Sequence, residues 1–399
     1  MNILITIADL GLGGAQQVVI NLANELVRLG HQVILFDVYP ELRKEGMVKK
    51  IENRVTLISR RFKEQPLDLI ERLVNSFFFR TGINKEYIRS KRKKQHRIAL
   101  FKLINNQQID AVNSHVYWAD EFVLEYLPNL HHNWWITLHG SYSGFIKSSK
   151  YLHQKKQITR FFNHCKGYIY LANTELEILK QLPGWNTPCH KKVYNGIPLL
   201  PIPIHSEPTA NWNEMRPLKA LIASRAIREK GWEEAIIAIT ELRQKGLFIE
   251  LQLIGDGPIL IDIKRKYEHL KFVKFHGYHS EIEKKINQID LLLLPSYYEA
   301  LPTILIEGIS LGKPAIATNV GEIHAILTGE YECGILINGN PKTLVSSIKS
   351  ALKAYYYDLA LYKNHSKNCL LNVKKFKIET MANEYLDLFK SEKFRDVSF

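Results

Sequence analysis

The sequence predicts an α/β protein built on open parallel sheets and divided between two domains. Three observations carry that expectation. Short apolar runs such as Asn2 to Ile7 and Ile289 to Leu294 are too apolar for half-exposed strands and short enough for buried parallel ones. Helical patterns follow them, as at Ala15 to Leu29, where Val18, Val19, Leu22, Leu26 and Leu29 recur at helical spacing. Finally, 399 residues exceed what a single core usually organises.

Composition is that of a globular protein, with 46% hydrophobic and 24% charged residues. No apolar run approaches the roughly 20 residues needed to span a bilayer, and the amino terminus reads as a buried strand rather than a signal peptide. Cys165, Cys189, Cys333 and Cys369 lie far apart in sequence, which points to neither a disulfide framework nor a zinc site and fits a reducing, cytoplasmic compartment. Residues 1–200 carry 28 Lys and Arg against 16 Asp and Glu, a net +12, whereas residues 201–399 carry 26 against 24, a net +2. The first half is therefore the expected contact surface for anionic partners.

The first βαβ unit runs from Asn2 through the helix to His31–Phe36, with Gly11, Gly13 and Gly14 between strand and helix. Glycines there let the backbone approach a phosphate or a sugar. A dinucleotide fingerprint would need a third glycine where Gln16 stands, so a nicotinamide enzyme is disfavoured. Residues 109–114, 135–138 and 167–172 read as further strands. Thr137-Leu138-His139-Gly140 places a histidine at a strand's carboxyl end, and His115 also follows a strand, where it could face an acceptor. A strongly basic segment, 77–103, has two open readings: docking on an anionic membrane surface, or a solvated charged helix. Nucleic acid is not an expected partner, because no recognised module surrounds it.

The linker is expected at 199–216, which holds three prolines, and a strand at Leu218–Ala223 opens the second domain. The loop after that strand carries Arg225 and Lys230, a guanidinium fork and a point charge suited to a diphosphate, with Arg228 as a further basic residue that is given no role. Gly255-Asp256-Gly257-Pro258 reads as a tight turn with Asp256 as turn former, and Asn195-Gly196 and Cys333-Gly334 read as further turns. From Pro295 to Gly312 the chain reads PSYYEALPTILIEGISLG. Glu299 lies in the loop after a buried strand, Pro302 can open a helix, and Glu307 follows one to two turns later. Free N–H groups at such a helix start, flanked by two carboxylates, suit a ligand with both phosphate and sugar hydroxyls. Taken alone, Glu299 could cap a helix and Glu307 pair with a basic neighbour.

With its flanking residues, however, the E-A-L-P-T-I-L-I-E-G segment resembles the signature of the glycosyltransferase family 4 enzymes, retaining transferases of the GT-B type. Gly13-Gly14, the T-x-H-G histidine, Asn195-Gly196, Arg225 with Lys230, and Phe275-His276-Gly277-Tyr278 also match. The resemblance implies two Rossmann-like domains facing a central cleft: residues 1–198 for the acceptor, 217–375 for the nucleotide sugar, and 376–399 crossing back as a helix. It implies catalytic roles for His139, Glu299, Arg225 and Lys230. Substrate and nucleotide contacts fall to Gly13, Gly14, Asn195, Gly277, Tyr278, Ala300, Leu301, Pro302, Thr303 and Glu307. Glu299 would hold hydroxyls of the donor sugar, Glu307 the ribose, and Gly277 with Tyr278 the base edge. No Asp-x-Asp occurs, so no metal and no resident cofactor are expected. The implied donor is a nucleotide sugar, with UDP favoured. The implied acceptor is a glycan or lipid-linked molecule of bacterial surface polysaccharide or lipopolysaccharide synthesis, reached by a cytoplasmic or peripheral protein. Two rivals stay open: a GT-B relative acting as a nucleotide-sugar epimerase or sugar phosphorylase, and a non-enzymatic binder whose affinity follows the basic segment.

Overall fold

The structure is a computed structural model that describes residues 1–11, 13–58, 100, 108–140, 142, 146, 152–186 (backbone alone at 152 and 153), 189–199, 212–279 and 281–391. The basic segment 77–103, apart from Leu100, and residues 200–211 of the expected linker lie outside the described residues.

The chain forms two compact units. The first comprises 1–170, 177–193 and 382–399; the second comprises 171–176 and 194–381. In the first, strands β1 (Asn2–Ile7), β2 (Gln32–Asp37), β3 (Thr56–Leu57), β4 (Ala111–His115), β5 (Trp134–Thr137), β6 (Gly167–Tyr170) and β7 (Cys189–Lys192) build one sheet. In the second, β8 (Leu218–Ala223), β9 (Ile249–Ile254), β10 (Val273–Gly277), β11 (Leu291–Leu294), β12 (Ala315–Thr318) and β13 (Gly334–Ile337) build another. Neighbouring strands are parallel throughout. The orders are β3-β2-β1-β4-β5-β6-β7 and β10-β9-β8-β11-β12-β13.

Each order reverses direction once, between β1 and β4 and between β8 and β11. Open α/β sheets bind ligands beyond the strand ends at such reversals. The central strands are buried because helices cover both faces, and this explains their continuous apolar runs: Leu291 to Leu294 are all at most 5% exposed. In the second unit one core layer packs Trp232, Ile236, Ile239 and Leu242 of the Trp232–Gln244 helix against Leu218, Ala220 and Leu251. The opposite layer packs Leu305, Ile306 and Ile309 of the Thr303–Ser310 helix against Leu292, Leu294 and Ala317. In the first unit an aromatic layer of Trp134, Phe122, Phe161 and Tyr168 does the same work.

Three local expectations need correction. Gly334 begins strand β13 and pairs with Ala315, where the sequence suggested a turn at Cys333-Gly334. Pro302 is the residue before the helix, extended at ψ 112°, and Thr303 is the first helical residue. Asn195-Gly196 forms no turn, and Ile197 makes a backbone bridge to Lys377. A Cβ on Gly196 would meet the Ile378 Cα at 2.7 Å, so close backbone approach is what demands glycine there. The Ile378–Lys390 helix starts in the second unit and is assigned to the first from Ala382 onward. There Tyr385, Phe389 and Ser391 bond to Thr137, Asn133 and Lys166. None of the helices described is long and apolar enough to cross a membrane.

Candidate active site

In the second unit, the loop after β8 and the loop after β11 leave adjacent strands at the reversal of the sheet. The β8 loop tightens into a single turn, Arg228–Lys230, before the Trp232–Gln244 helix. It carries the Lys230 ammonium onto the β11 loop, where Nζ lies 2.6 Å from Glu299 Oε1 and 3.4 Å from the Tyr298 carbonyl. Ser296 donates to the same carboxylate oxygen at 2.8 Å, and the Ser296 carbonyl accepts from Thr318 Oγ1 at 2.5 Å. Tyr297 N–H donates to the Glu229 carbonyl at 2.8 Å, tying the loops a second time. Lys230 and Glu299 side chains are only 15% and 14% exposed. Glu299 is thus held by two donors from two loops, and a polar ligand can exchange places with either. Arg225 is exposed, one residue past Ser224, and has no ion pair among the described residues.

Beyond Glu299, Ala300 accepts from Glu322 N–H at 2.8 Å. Asn195 donates from Nδ2 to the Leu301 carbonyl at 3.5 Å, and its buried Oδ1 has no partner among the described residues. Pro302 and Thr303 then start a helix with no side-chain cap, so first-turn N–H groups stay available. Glu307 is half-buried in its second turn. Gly277 closes β10 with its carbonyl accepting from Gly255 N–H, and Tyr278 beside it is 46% exposed. Arg225, Lys230, Glu299, Ala300, Leu301, Pro302, Thr303 and Glu307 therefore share the two loops and one helix at the sheet reversal. Gly277 and Tyr278 lie two strands further along.

In the first unit, Gly13 and Gly14 are exposed at the start of the Gly14–Arg28 helix, which has no side-chain cap and no acidic residue in its first turn. Gly13 has φ 169°, extended backbone open to any residue, so only its lack of a side chain matters. His139 follows β5, half-buried, and its Nε2 lies 2.8 Å from His115 Nδ1. His115 is fully buried, with its other nitrogen on Asn113 Oδ1, so it does not face an acceptor as the sequence suggested. The next residue, Val116, has φ 64°. Such a conformation in a β-branched residue stores about 1–3 kcal/mol, a strain that tends to collect at functional sites. Asn113 was the missed residue; a polar side chain in an otherwise apolar strand was the signal for it.

Burial lowers the pKa of His139 to about 4 and holds that of His115 well below the usual range, with His139 as a further cause. Asp120 goes the other way, raised to about 7 by burial against hydrogen bonds from Ser114 and Tyr142. Unfolded histidines take a proton near pH ~6.5, so between about 6.5 and 4 the unfolded chain binds more protons and stability falls with acid. Asp120 opposes this, because it is protonated in the fold up to about 7 but in the unfolded chain only below about 4. Asp120→Asn removes the opposing group. Its melting temperature should fall more steeply than that of the parent chain from pH 6.5 to 4.5, and parallel curves would contradict the assignment.

Comparison with known proteins bears on what these loops belong to. Residues 12–199 match the model of Glycosyltransferase Family 4, and residues 218–354 match that of Glycosyl transferases group 1. The chain is a family 4 glycosyltransferase. Among curated relatives of this glycosyltransferase, glycogen synthase of Mycobacterium tuberculosis is 31% identical over 120 residues, 29% of each chain. The UDP-Gal:alpha-D-GlcNAc-diphosphoundecaprenol alpha-1,3-galactosyltransferase of Escherichia coli is 28% identical over 142 residues, 34% of this chain and 35% of that one. The matches thus span about a third or less of those relatives. Across nearly the full length, the structure of Anabaena HepE in complex with UDP and glucose superposes with a TM-score of 0.72 at 15% identity, covering 97% of this glycosyltransferase and 99% of HepE. The shared fold is GT-B.

Proposed function

We propose that this glycosyltransferase moves a hexose or N-acetylhexosamine from a UDP-sugar to a glycan or lipid-linked acceptor, with retention of anomeric configuration, in bacterial polysaccharide or lipopolysaccharide synthesis. The observation that carries it is the Lys230–Glu299 contact at the sheet reversal, with exposed Arg225 in the same loop. A diphosphate needs cations, a sugar needs hydroxyl acceptors, and here the two kinds of group are 2.6 Å apart. The relative acting on a diphosphoundecaprenol-linked sugar and the UDP and glucose held by HepE support the same substrate classes.

In the transition state, charge builds on the departing diphosphate as the bond from the anomeric carbon to phosphate oxygen breaks. Arg225, Lys230 and the N–H groups at Thr303 and Ile304 would meet that charge without a metal. The acceptor hydroxyl bonds to the same face of the anomeric carbon and gives its proton to the departing phosphate oxygen. Glu299 holds sugar hydroxyls and Glu307 the ribose. The protein would work in the cytoplasm, and the basic segment 77–103 would supply any membrane contact.

A thermal-shift series with UDP, GDP, ADP and CDP tests the donor. UDP at about a hundredfold excess over Kd should add about 2.7 kcal/mol of stability, a shift of several degrees. No shift with any of the four would overturn the proposal, and a shift with GDP alone would replace the donor. Turnover of a nucleotide sugar without acceptor, or with inorganic phosphate, would favour an epimerase or a phosphorylase instead.

A further inference from the structure

We propose that Asn113 and His115 are positioning residues that fix His139 as its Nε2–H tautomer, so that His139 presents Nδ1 as a hydrogen-bond acceptor and reads a hydroxyl of the ligand. That the hydroxyl belongs to the transferred sugar rests on the function proposed above; the tautomer does not.

Asn113 Nδ2 lies 3.1 Å from the Trp135 carbonyl and 2.9 Å from Thr137 Oγ1. A carbonyl can only accept, so the amide nitrogen must point there and Oδ1 must point the other way. Oδ1 lies 2.5 Å from His115 Nε2 and, being an acceptor, requires a hydrogen on that nitrogen. His115 is completely buried, and its ring is neutral because burial opposes the charge. Its Nδ1 is therefore bare. Nδ1 faces His139 Nε2 at 2.8 Å, so the His139 hydrogen must sit on Nε2. His139 is neutral for the same reason, which leaves its Nδ1 with a lone pair and no partner among the described residues. Thr137 Oγ1, having accepted from Asn113, is 3.3 Å from Tyr385 OH, so the chain of bonds is anchored on the Ile378–Lys390 helix as well. Every member from Asn113 to His115 is buried, and among the described residues none answers His139 Nδ1.

A bare ring nitrogen accepts from hydroxyls and repels phosphate oxygens. The tautomer thus assigns His139 to the sugar end of a nucleotide sugar rather than to its diphosphate.

Long-range proton–nitrogen NMR on histidine-labelled protein reads the tautomer directly, with His139→Gln to assign the ring. The wild-type chain at neutral pH should show a protonated Nε2 and a bare Nδ1 at His139. His115→Leu should scramble that pattern, while His115→Gln, whose amide can donate to Asn113 and accept from His139, should restore it. In titrations, His115→Leu should weaken UDP-glucose about tenfold and leave UDP within about twofold, as expected for one lost hydrogen bond to the sugar. A hydrogen on Nδ1 in the wild type, or an unchanged His139 pattern in His115→Leu, overturns the proposal. Should His115→Leu fail to fold, the wild-type spectrum and the His115→Gln variant still decide. If neither nucleotide binds while the tautomer stands as stated, the proposed function fails and the positioning role survives.

Discussion

Glu299→Ala should lower kcat/KM by about 10²–10³-fold while the protein stays folded and UDP still binds within a few-fold. Glu299 is the acceptor on which Lys230 and Ser296 converge, at 2.6 and 2.8 Å. In the proposed function, its removal deletes the group that would hold sugar hydroxyls in place for reaction. The stability cost is bounded, because what is lost is one ion pair at the core's margin and one hydroxyl bond, about 1–3 kcal/mol. Core residues behind it, Leu292, Leu294, Leu305 and Ile306, are untouched. Steady-state kinetics with a nucleotide sugar, beside a melting curve, separate the two effects. Near-normal turnover in a folded Glu299→Ala chain would remove the carboxylate from the mechanism.

Gly255→Ala should have the largest effect on stability, at least about 3 kcal/mol, and lower the melting temperature by roughly 6–12 °C. Gly255 sits where β9 leaves the sheet, at φ 146°, with its N–H on the Gly277 carbonyl. An added Cβ would fall 1.8 Å from the Ser224 carbonyl oxygen. That neighbour is backbone at the end of β8, so no rotamer change relieves the clash. The β8 loop bearing Arg225 and Lys230 would have to move with it, and UDP affinity should fall as well. Gly246→Ala is the control: it also has positive φ, 83°, but open space within 4 Å, and should cost about 1 kcal/mol. Equal losses in the two variants would mean that backbone strain, not the close approach, sets the requirement.

Much of this was legible because the central strands are buried on both faces. Asn2–Ile7 and Leu218–Ala223 show as apolar runs with the very bounds the structure gives them. Edge strands were illegible for the matching reason. β7 is Cys189-His190-Lys191-Lys192, polar because only one neighbour covers it, and β3 is two residues long. β13 was hidden by Gly334, read as a turn residue when it serves close packing beside Ala315. At the site, motif spacing placed Glu299 and Lys230 in loops, but their mutual contact depends on β8 lying next to β11, a pairing set by tertiary order. The Asn113–His115–His139 chain is similar. Neighbouring strands in register bring Asn113 beside Trp135 and His115 beside Thr137, and no local pattern encodes that pairing.

Titration of UDP against the wild-type chain, Arg225→Ala and Lys230→Ala is the most direct measurement on the central claim that the β8 and β11 loops hold a nucleoside diphosphate. Each substitution removes a charged donor and should weaken UDP by about tenfold to a hundredfold, with uridine alone unaffected. Equal UDP affinity in all three chains would contradict the claim.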